Sequence, residues 1–576
     1  MSFKILGLGA AVLSNVSLAY SGHAPQEMVH AQTNATSSAR IDIDSGSRTF
    51  TDASGRQVLF HGVNVVYKVD PYIPSNGEFD SQNSLNDEDI VSLKTWGMNF
   101  VRLGVMWEAV ERTAGTYDDA YLDKVEVLIN KLGEAGIYTL VDAHQDVFAR
   151  SICGEGMPDF YARELLDEDS HCMNGFLDKL LQPLYNKFGV CWDLESAGFR
   201  KDDNGDPYIE DCQTRDFYTY YLTKQSISAF GNFFENKNGM QDKFVDYWDH
   251  VSARFANNPY VVGYDPLNEP FPANPARDPL LFTPGHMDQK YLAPLYEQVY
   301  EKYQSHDANQ QMWFEPVPFP DEAGILSGYV FPVGFQSPPG GDMGSNKHVL
   351  NDHTYCCQLS SNECKTGEPQ VEHADKCLKW HEKRIGQRAK DAERLGVPLV
   401  ITEFGACLTE GPCSQEINQV GDTADDNLVG WAYWQFKTYA DLTTSAGTGS
   451  EGFWNQDGTL QDYKVKALAR SYLPLTQGRL SSMKFDTNTA LLKAVFTFSE
   501  AAGSSETSVY LNKEYWYPSG YDVYVANGDA TPVRVSSKKV DGNYYNLNVA
   551  ELVGAKEGDQ ISIKVYAKQV VEEIAQ

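Results

Sequence analysis

An α/β fold, a (β/α)8 TIM barrel with a C-terminal antiparallel β-sandwich domain, is expected from three features of this 576-residue sequence. Eight short apolar runs alternate with amphipathic stretches between residues 58 and 436. Such near-continuous hydrophobicity marks parallel strands buried on both faces, and eight strand–helix units close a barrel. Two of the runs, VVGYDPLNEP and PLVITEFG, carry a glutamate at their end. A carboxylate is expensive to bury there unless it is paired or used. From about residue 475 the hydrophobic period becomes two, with turn residues between short segments.

The strand candidates run in order. They are VLFHGVNVV (58–66), MNFVRLGVMW (98–107), IYTLVDAHQD (137–146), VVGYDPLNEP (261–270), QMWFEPVP (311–318), HVLNDHTYC (348–356), PLVITEFG (398–405) and GWAYWQF (430–436). Between them, stretches such as DDAYLDKVEVLINKLGEAG and KWHEKRIGQRAKDAERLG repeat apolar residues at three and four and close on glycine, as helices do. An open doubly wound sheet is the competing arrangement, but no GxGxxG turn follows the first strand. Residues 147–225 are too long for an ordinary loop and are expected to form a lid or small subdomain. Residues 321–347 form a second insertion, apolar and rich in Pro and Gly. The segments LLKAVFTFSE, YDVYVANG, YYNLNVAEL and DQISIKVYAK supply the sandwich. The expected organisation is a signal peptide at 1–24, a linker at 25–40, the catalytic barrel at 41–472 and the sandwich at 473–576.

The first 24 residues have one lysine, a short apolar core and small residues at candidate cleavage points, the pattern of a secretory signal peptide. A secreted protein, or one held in a secretory or digestive compartment, is therefore expected. No later segment is long and apolar enough to span a bilayer. Ten cysteines behind such a leader suit disulfides. Cys407 and Cys413 are close enough to staple one loop, and Cys356 and Cys357 are expected to pair with Cys364 and Cys377 in an order left open. The Asn34-Ala35-Thr36 sequon could carry a glycan. Net charge is −32, from 79 acidic and 47 basic residues. No basic stripe is available for phosphates, so nucleic acid is excluded as a partner. Simple electrostatic docking on anionic membranes is disfavoured as well.

Active groups of a (β/α)8 barrel stand at the C-terminal ends of its strands. Here those positions hold Lys68, Arg102, His144, Asp146, Asn268, Glu269, Glu315, His353, Tyr355, Glu403 and Trp434. Two glutamates facing across the mouth can cleave a glycosidic bond, one attacking the anomeric carbon and the other protonating the leaving oxygen and then activating water. Retention of configuration requires them about 5–5.5 Å apart. Arg102 would favour the charged form of a nucleophilic glutamate. Asn268 would bond the sugar 2-hydroxyl, and Trp434 would offer an apolar face to a sugar ring.

LNEP on the fourth strand and ITEFG on the seventh resemble the signature of family-five glycoside hydrolases, a retaining (β/α)8 clan, and the likeness extends through Arg102, His144, the HTY of 353–355 and Trp434. It implies Glu269 as acid/base and Glu403 as nucleophile. GVNVVYK (62–68), DAHQD (142–146) and the C-terminal sandwich are similar to the endoglycoceramidase group, which releases intact oligosaccharide from ceramide. That likeness covers roughly residues 45–570, with the 147–225 stretch outside it. It implies a glycosphingolipid substrate, with Lys68, His144, Asp146, Asn268, Tyr355 and Trp434 around the sugar. Transient contact with a lipid micelle or membrane surface would follow, with the apolar 321–347 stretch and the eighth-strand side of the mouth receiving the lipid chains. A monomer without cofactor is expected.

Blander readings stand beside these. Lys68 could be a surface lysine. His144 and Asp146 share a strand face, but no third ligand is evident, so no metal is expected. Glu315 reads as the structural partner of a nearby Arg or Lys. KDDNGDPYIED (201–211) lacks the glycine and terminal glutamate of an EF-hand loop and reads as a solvated acidic turn. KEYWYPSGY (513–521) reads as aromatics packed within the sandwich. No GxSxG, Walker A or HExxH pattern occurs. The alternatives in function are an endo-glucanase or mannanase of the same family, with an open tryptophan-lined cleft, and a glycolipid-binding protein that uses the sandwich.

Overall fold

The computed structural model describes residues 39–166, 191–275, 277–318, 321, 329–356, 371–443, 449–503, 505–535 and 540–568. The signal peptide and nearly all of the 25–40 linker lie outside them. So do the sequon and Cys172, Cys357 and Cys364.

Eight parallel strands close a barrel: His61–Val65, Phe100–Gly104, Tyr138–Asp142, Val261–Asp265, Met312–Phe314, His348–His353, Leu399–Glu403 and Gly430–Tyr433. Each falls within one of the apolar runs, and the eighth pairs with the first. All but one of these strand residues are buried. The helices follow local chemistry. Helix Asp119–Glu134 begins where the Asp118 carboxylate accepts the Tyr121 N–H, and Gly136 follows its end at positive φ. Helix Ala374–Leu395 stops at Gly396, whose φ of 74° closes it in the left-handed region.

The barrel interior has two storeys. Its N-terminal end is plugged by Phe60, Phe100, Leu140, Val262, Trp313, Val349, Val400 and Ala432. Trp313 stacks between Phe50 and Phe100 at 5.4 Å each. Truncating a buried aromatic of this kind costs about 3–5 kcal/mol. Above the plug the interior turns polar, and this upper storey is the floor of the site.

The C-terminal region is a sandwich of two antiparallel sheets, one of five strands and one of seven. Alternate residues of strand Leu491–Phe498 and strand Gln560–Ala567 point inward, with Phe496, Ile561, Ile563 and Val565 in the shared core. Three short N-terminal strands, Asp42–Asp44, Thr49–Thr51 and Gln57–Val58, join the seven-stranded sheet. Gln57–Val58 pairs there with Tyr472–Thr476. The segment 42–58 thus crosses beneath the barrel and ties it to the sandwich. Trp516 and Tyr517 of the 513–521 stretch are buried in that core.

The 147–225 stretch holds helix Asp159–Leu165, helix Ile209–Cys212 and several single turns among its described residues. The Cys153–Cys212 disulfide closes it at its base. Within 201–211 three of the five acidic groups have partners inside the chain. The Asp202 carboxylate caps its own turn, Asp206 pairs with Arg163, and Asp211 pairs with Arg200. Cys356 bonds Cys377, and Cys407 bonds Cys413 in the loop after the seventh strand. No described helix is long and apolar enough to cross a membrane.

Candidate active site

Arg102 stands at the centre of the upper storey. Its guanidinium donates to Glu403 Oε1 at 2.5 Å, Asn268 Oδ1 at 2.8 Å, Asp265 Oδ2 at 2.9 Å, Asp142 Oδ1 at 3.0 Å and Asn64 Oδ1 at 3.3 Å. One planar fork therefore fixes residues from the first, third, fourth and seventh strands. Burial opposes its charge, but Asp142, Asp265 and Glu403 hold its pKa well above the ordinary value.

Glu403 ends the seventh strand and is 4% exposed. Tyr355 donates to its second oxygen at 2.9 Å. Both carboxylate oxygens are therefore oriented. Two residues on, Gly405 adopts a φ of 116° with the Tyr433 ring against it, which excludes a side chain and explains the glycine of ITEFG.

Glu269 follows the fourth strand and is half-buried, with a backbone φ of 36°. A left-handed non-glycine residue carries strain of about 1–3 kcal/mol, which persists only where its surroundings impose it. Those surroundings are visible. Gln145 Nε2 donates to the carbonyls of Asn268 and Glu269 at 2.8 and 3.2 Å. Burial first, and then the charge of Asp146, push the Glu269 carboxyl up to about 7. His353 joins the two glutamates: its Nδ1 lies 2.8 Å from Glu269 Oε1 and 3.5 Å from Glu403 Oε2. The sum of those distances caps the gap between the two oxygens. It agrees with the close pairing of retaining enzymes rather than the ~6.5–9.5 Å of inverting ones. Burial keeps the His353 imidazole neutral, down to about 4.

His144 Nδ1 bonds Asp142 at 2.8 Å, and its ring stacks on Trp434 at 5.0 Å. Burial lowers its pKa, yet Asp142 and Asp146 outweigh that and push it up to about 9. Lys68 is not a surface lysine. Its ammonium is buried and contacts Asp146 at 2.6 Å, Thr443 at 2.8 Å and Asp441 at 3.0 Å, 4.8 Å from the Trp434 ring centre. Lys68 and Asp146 thus bond to each other, with the ammonium over the Trp434 ring. Glu315 differs from its expected role too. No Arg or Lys bonds it among the described residues. Its Oε2 accepts the Glu269 N–H at 3.1 Å, and its Oε1 lies 3.7 Å from His353 Nδ1. Glu269, Glu315 and His353 also form a group whose ligand atoms lie within 4.8 Å of one another, a spacing that could hold a metal ion. Proton transfer by Glu269 requires that same carboxylate free.

Sequence reasoning did not single out Asn64, Asp142, Asp265, Gln145, Asn351 or Thr443. The first three are polar residues inside otherwise apolar strands, and that was the available signal; Asn351, which donates to Asp265 Oδ2 at 2.9 Å, stands in the mostly polar HVLNDH, which gives none. Thr443 lies in an irregular loop that gives none.

A close pair of glutamates, one buried and one half-buried, held by one arginine and one imidazole at the C-terminal mouth of a (β/α)8 barrel, defines a glycoside hydrolase. The chain belongs to glycosyl hydrolase family 5: residues 51–190 and 206–440 match the cellulase model of that family, and residues 470–565 match its C-terminal domain. The family match takes in most of the 147–225 stretch, leaving only 191–205 of it unmatched. The chain is 30% identical to the endoglycoceramidase of Cyanea nozakii over 89% of its own length and 92% of the relative's. It is 28% identical to the Hydra vulgaris endoglycoceramidase, covering 84% and 82%. Endo-glycoceramidase II from Rhodococcus sp., solved as a ganglioside GM3 complex, shares the fold with a TM-score of 0.64 at 20% identity, covering 90% of this chain and 99% of that one.

The pH response of activity follows from Glu269. A general acid must hold its proton, so kcat/KM is expected to fall as pH rises through about 7. On substrates whose leaving group needs no proton that basic limb should be absent, and Glu269→Gln should lose far less kcat/KM there than on ceramide substrates. A profile flat from pH 6 to 9 in the wild type would contradict the assignment.

Proposed function

We propose that this chain is a retaining endo-β-glycosidase that hydrolyses the bond between oligosaccharide and ceramide in glycosphingolipids, releasing intact glycan and ceramide. The sharing of His353 Nδ1 between Glu269 and Glu403 carries the mechanism. Relatives named endoglycoceramidases, aligned over 84–89% of the chain, supply the substrate class.

Glu403 attacks the anomeric carbon of the first sugar while the bond to the ceramide oxygen breaks. Glu269 gives its proton to that oxygen. Water then enters, Glu269 takes its proton, and the glycosyl–Glu403 ester is released as free sugar. Arg102 and Tyr355 orient Glu403 throughout. Arg102 holds Asn268 Oδ1 and the Gln145 carbonyl accepts one Asn268 amide N–H at 3.0 Å, so the second N–H, 3.4 Å from His144 Nε2, is the one that turns to the 2-hydroxyl. Trp434 presents a ring face to the first sugar, backed by the Lys68–Asp146 pair. No metal or cofactor enters these steps.

All ten tryptophans are buried, so no row of exposed indoles marks a polysaccharide cleft, which weighs against the glucanase or mannanase reading. The apolar 321–347 stretch is divided. Residues 322–328 lie outside the described residues, and Val333 and Phe335 are core, with Phe335 against Phe314 at 5.1 Å. Tyr329, 65% exposed, and Phe331 remain to meet the lipid. Removal of residues 1–24 on the secretory route completes this reading.

The test is to incubate the protein with a lactosyl- or ganglioside-type glycosphingolipid in detergent and detect free oligosaccharide and free ceramide. Glucosylceramide and soluble cellulose and mannan derivatives serve as competitors. Turnover of the polysaccharides alone would overturn the substrate. Tyr329→Asp should lower the rate on ceramide substrates several-fold and spare soluble aryl lactosides. Equal loss on both would remove Tyr329 from the lipid path.

A further inference from the structure

Glu315 is a buried carboxylate to which no Arg or Lys bonds among the described residues. It follows the fifth strand, is 1% exposed, and sits among the carboxylates of Asp265, Glu269 and Glu403, with the Arg102 guanidinium near enough to oppose their repulsion. Burying such a group is costly unless its position is used. Its two oxygens show what is used. Oε2 accepts the backbone N–H of Glu269 at 3.1 Å, and Oε1 has no hydrogen bond but lies 3.7 Å from His353 Nδ1. His353 Nδ1 is in turn bonded to Glu269 Oε1. Glu315 is itself fixed from outside the barrel, where the Tyr296 hydroxyl on helix Ala293–His306 donates to its carbonyl at 3.3 Å.

The backbone at Glu269 is left-handed, and such a conformation persists only where neighbours impose it. Gln145 holds the carbonyl side of this turn, and Glu315 holds the N–H side. We infer that Glu315 is a positioning residue for the acid/base, clamping the left-handed turn at Glu269 and flanking the imidazole that Glu269 bonds. The inference rests on the acid/base role proposed for Glu269. A small error in carboxyl placement is enough to cost a proton transfer that must be made in the transition state.

The experiment compares Glu315→Leu, Glu315→Gln and Glu269→Ala with the wild type on two substrates. One is a lactosyl ceramide, whose alkoxide needs a proton to leave. The other is a 2,4-dinitrophenyl β-lactoside, whose leaving group needs none. Azide is added as an anionic nucleophile that requires no general base. Glu315→Leu is expected to lose about 100-fold in kcat/KM on the ceramide substrate, on the scale of a displaced general acid, and less than about 5-fold on the dinitrophenyl substrate. Azide should raise its kcat on the latter and yield lactosyl azide. Glu315→Gln keeps an acceptor for the Glu269 N–H and should restore most of the ceramide activity. Equal losses of Glu315→Leu on both substrates, or no loss on either, would overturn the inference. Where Glu269→Ala shows the leaving-group and azide signature and Glu315→Leu does not, the acid/base reading stands and Glu315 is merely structural. Where Glu269→Ala also lacks it, both fall. Thermal melts of each variant separate misfolding from misplacement.

Discussion

Glu403→Gln is expected to lose turnover by on the order of 10⁴-fold or more while keeping the fold, the scale on which removal of a covalent nucleophile acts. The substitution changes one oxygen to an amide nitrogen. Arg102 and Tyr355, the donors that meet the two carboxylate oxygens, then face only one remaining acceptor. The side chain can still fill its place in the wall, so the melting temperature should move by only a few degrees. An amide oxygen cannot form and release a glycosyl ester, so KM should change far less than kcat. The direct check is covalent. A 2-deoxy-2-fluoro lactoside with a good leaving group should add one glycosyl mass to the wild type, on the peptide containing Glu403, and nothing to the variant. Label on any other residue, or more than a per cent of wild-type turnover in the variant, would move the nucleophile elsewhere.

The two proton-bearing groups of the site are separated by their environments. Glu269 is held near 7 by burial and by Asp146, and His353 is held near 4 by burial. At mildly acidic pH the proton between them therefore sits on the carboxyl, where the leaving oxygen needs it, and the imidazole is neutral. Two titrating groups pushed apart in this way assign the acid without reference to any relative. Glu315 adds a third carboxylate beside them.

The barrel was legible because each strand is a short apolar run with turn signals around it, and the two glutamates because they break that pattern at the strand ends. Arg102 was legible for the same reason. Asp142 and Asp265 break the pattern too, but each stands beside a louder motif, DAHQD and PLNEP, and was read as part of it. Lys68 shows the limit of reading a residue by its neighbours in sequence. VVYK looks like a strand running out to a surface lysine, whereas loops from 146–155 and 441–443 bury that lysine among three carboxylates. Those partners come from far along the chain, with no local periodicity to announce them. The 321–347 stretch was read as one apolar surface. The structure divides it because Val333 and Phe335 complete the barrel wall while Tyr329 does not. The N-terminal strands were missed for a related reason: two or three residues each, they are too short to show a period of two, and they are strands only because the sandwich supplies their partners.

Arg102→Met is expected to damage stability and catalysis together, because one cation holds the whole polar storey. Five acceptors from the first, third, fourth and seventh strands converge on it: Asn64, Asp142, Asp265, Asn268 and Glu403. Methionine fills much of the same volume but leaves Asp265 and Glu403 without their counter-charge and Asp142 with His144 alone. Breaking a buried ion pair from one side costs about 3–5 kcal/mol, a fall of roughly 5–15 °C in melting temperature for a domain of a few hundred residues. The pH dependence identifies the cause. Asp265, which burial already pushes up to about 7, then loses the guanidinium that opposes that rise, so the folded state binds protons more tightly. Its stability is greatest at low pH and is lost as pH rises through the raised value. The gap between variant and wild type should therefore narrow as pH falls from 8 to 5. Arg102→Lys should recover part of the stability, since it restores the charge, but little of the activity, because a point charge cannot bridge Asp265, Asn268 and Glu403 at once. A methionine variant that melts within 2 °C of the wild type, with the same pH dependence and kcat within tenfold, would mean that the storey is held by its hydrogen-bonded amides and not by the guanidinium.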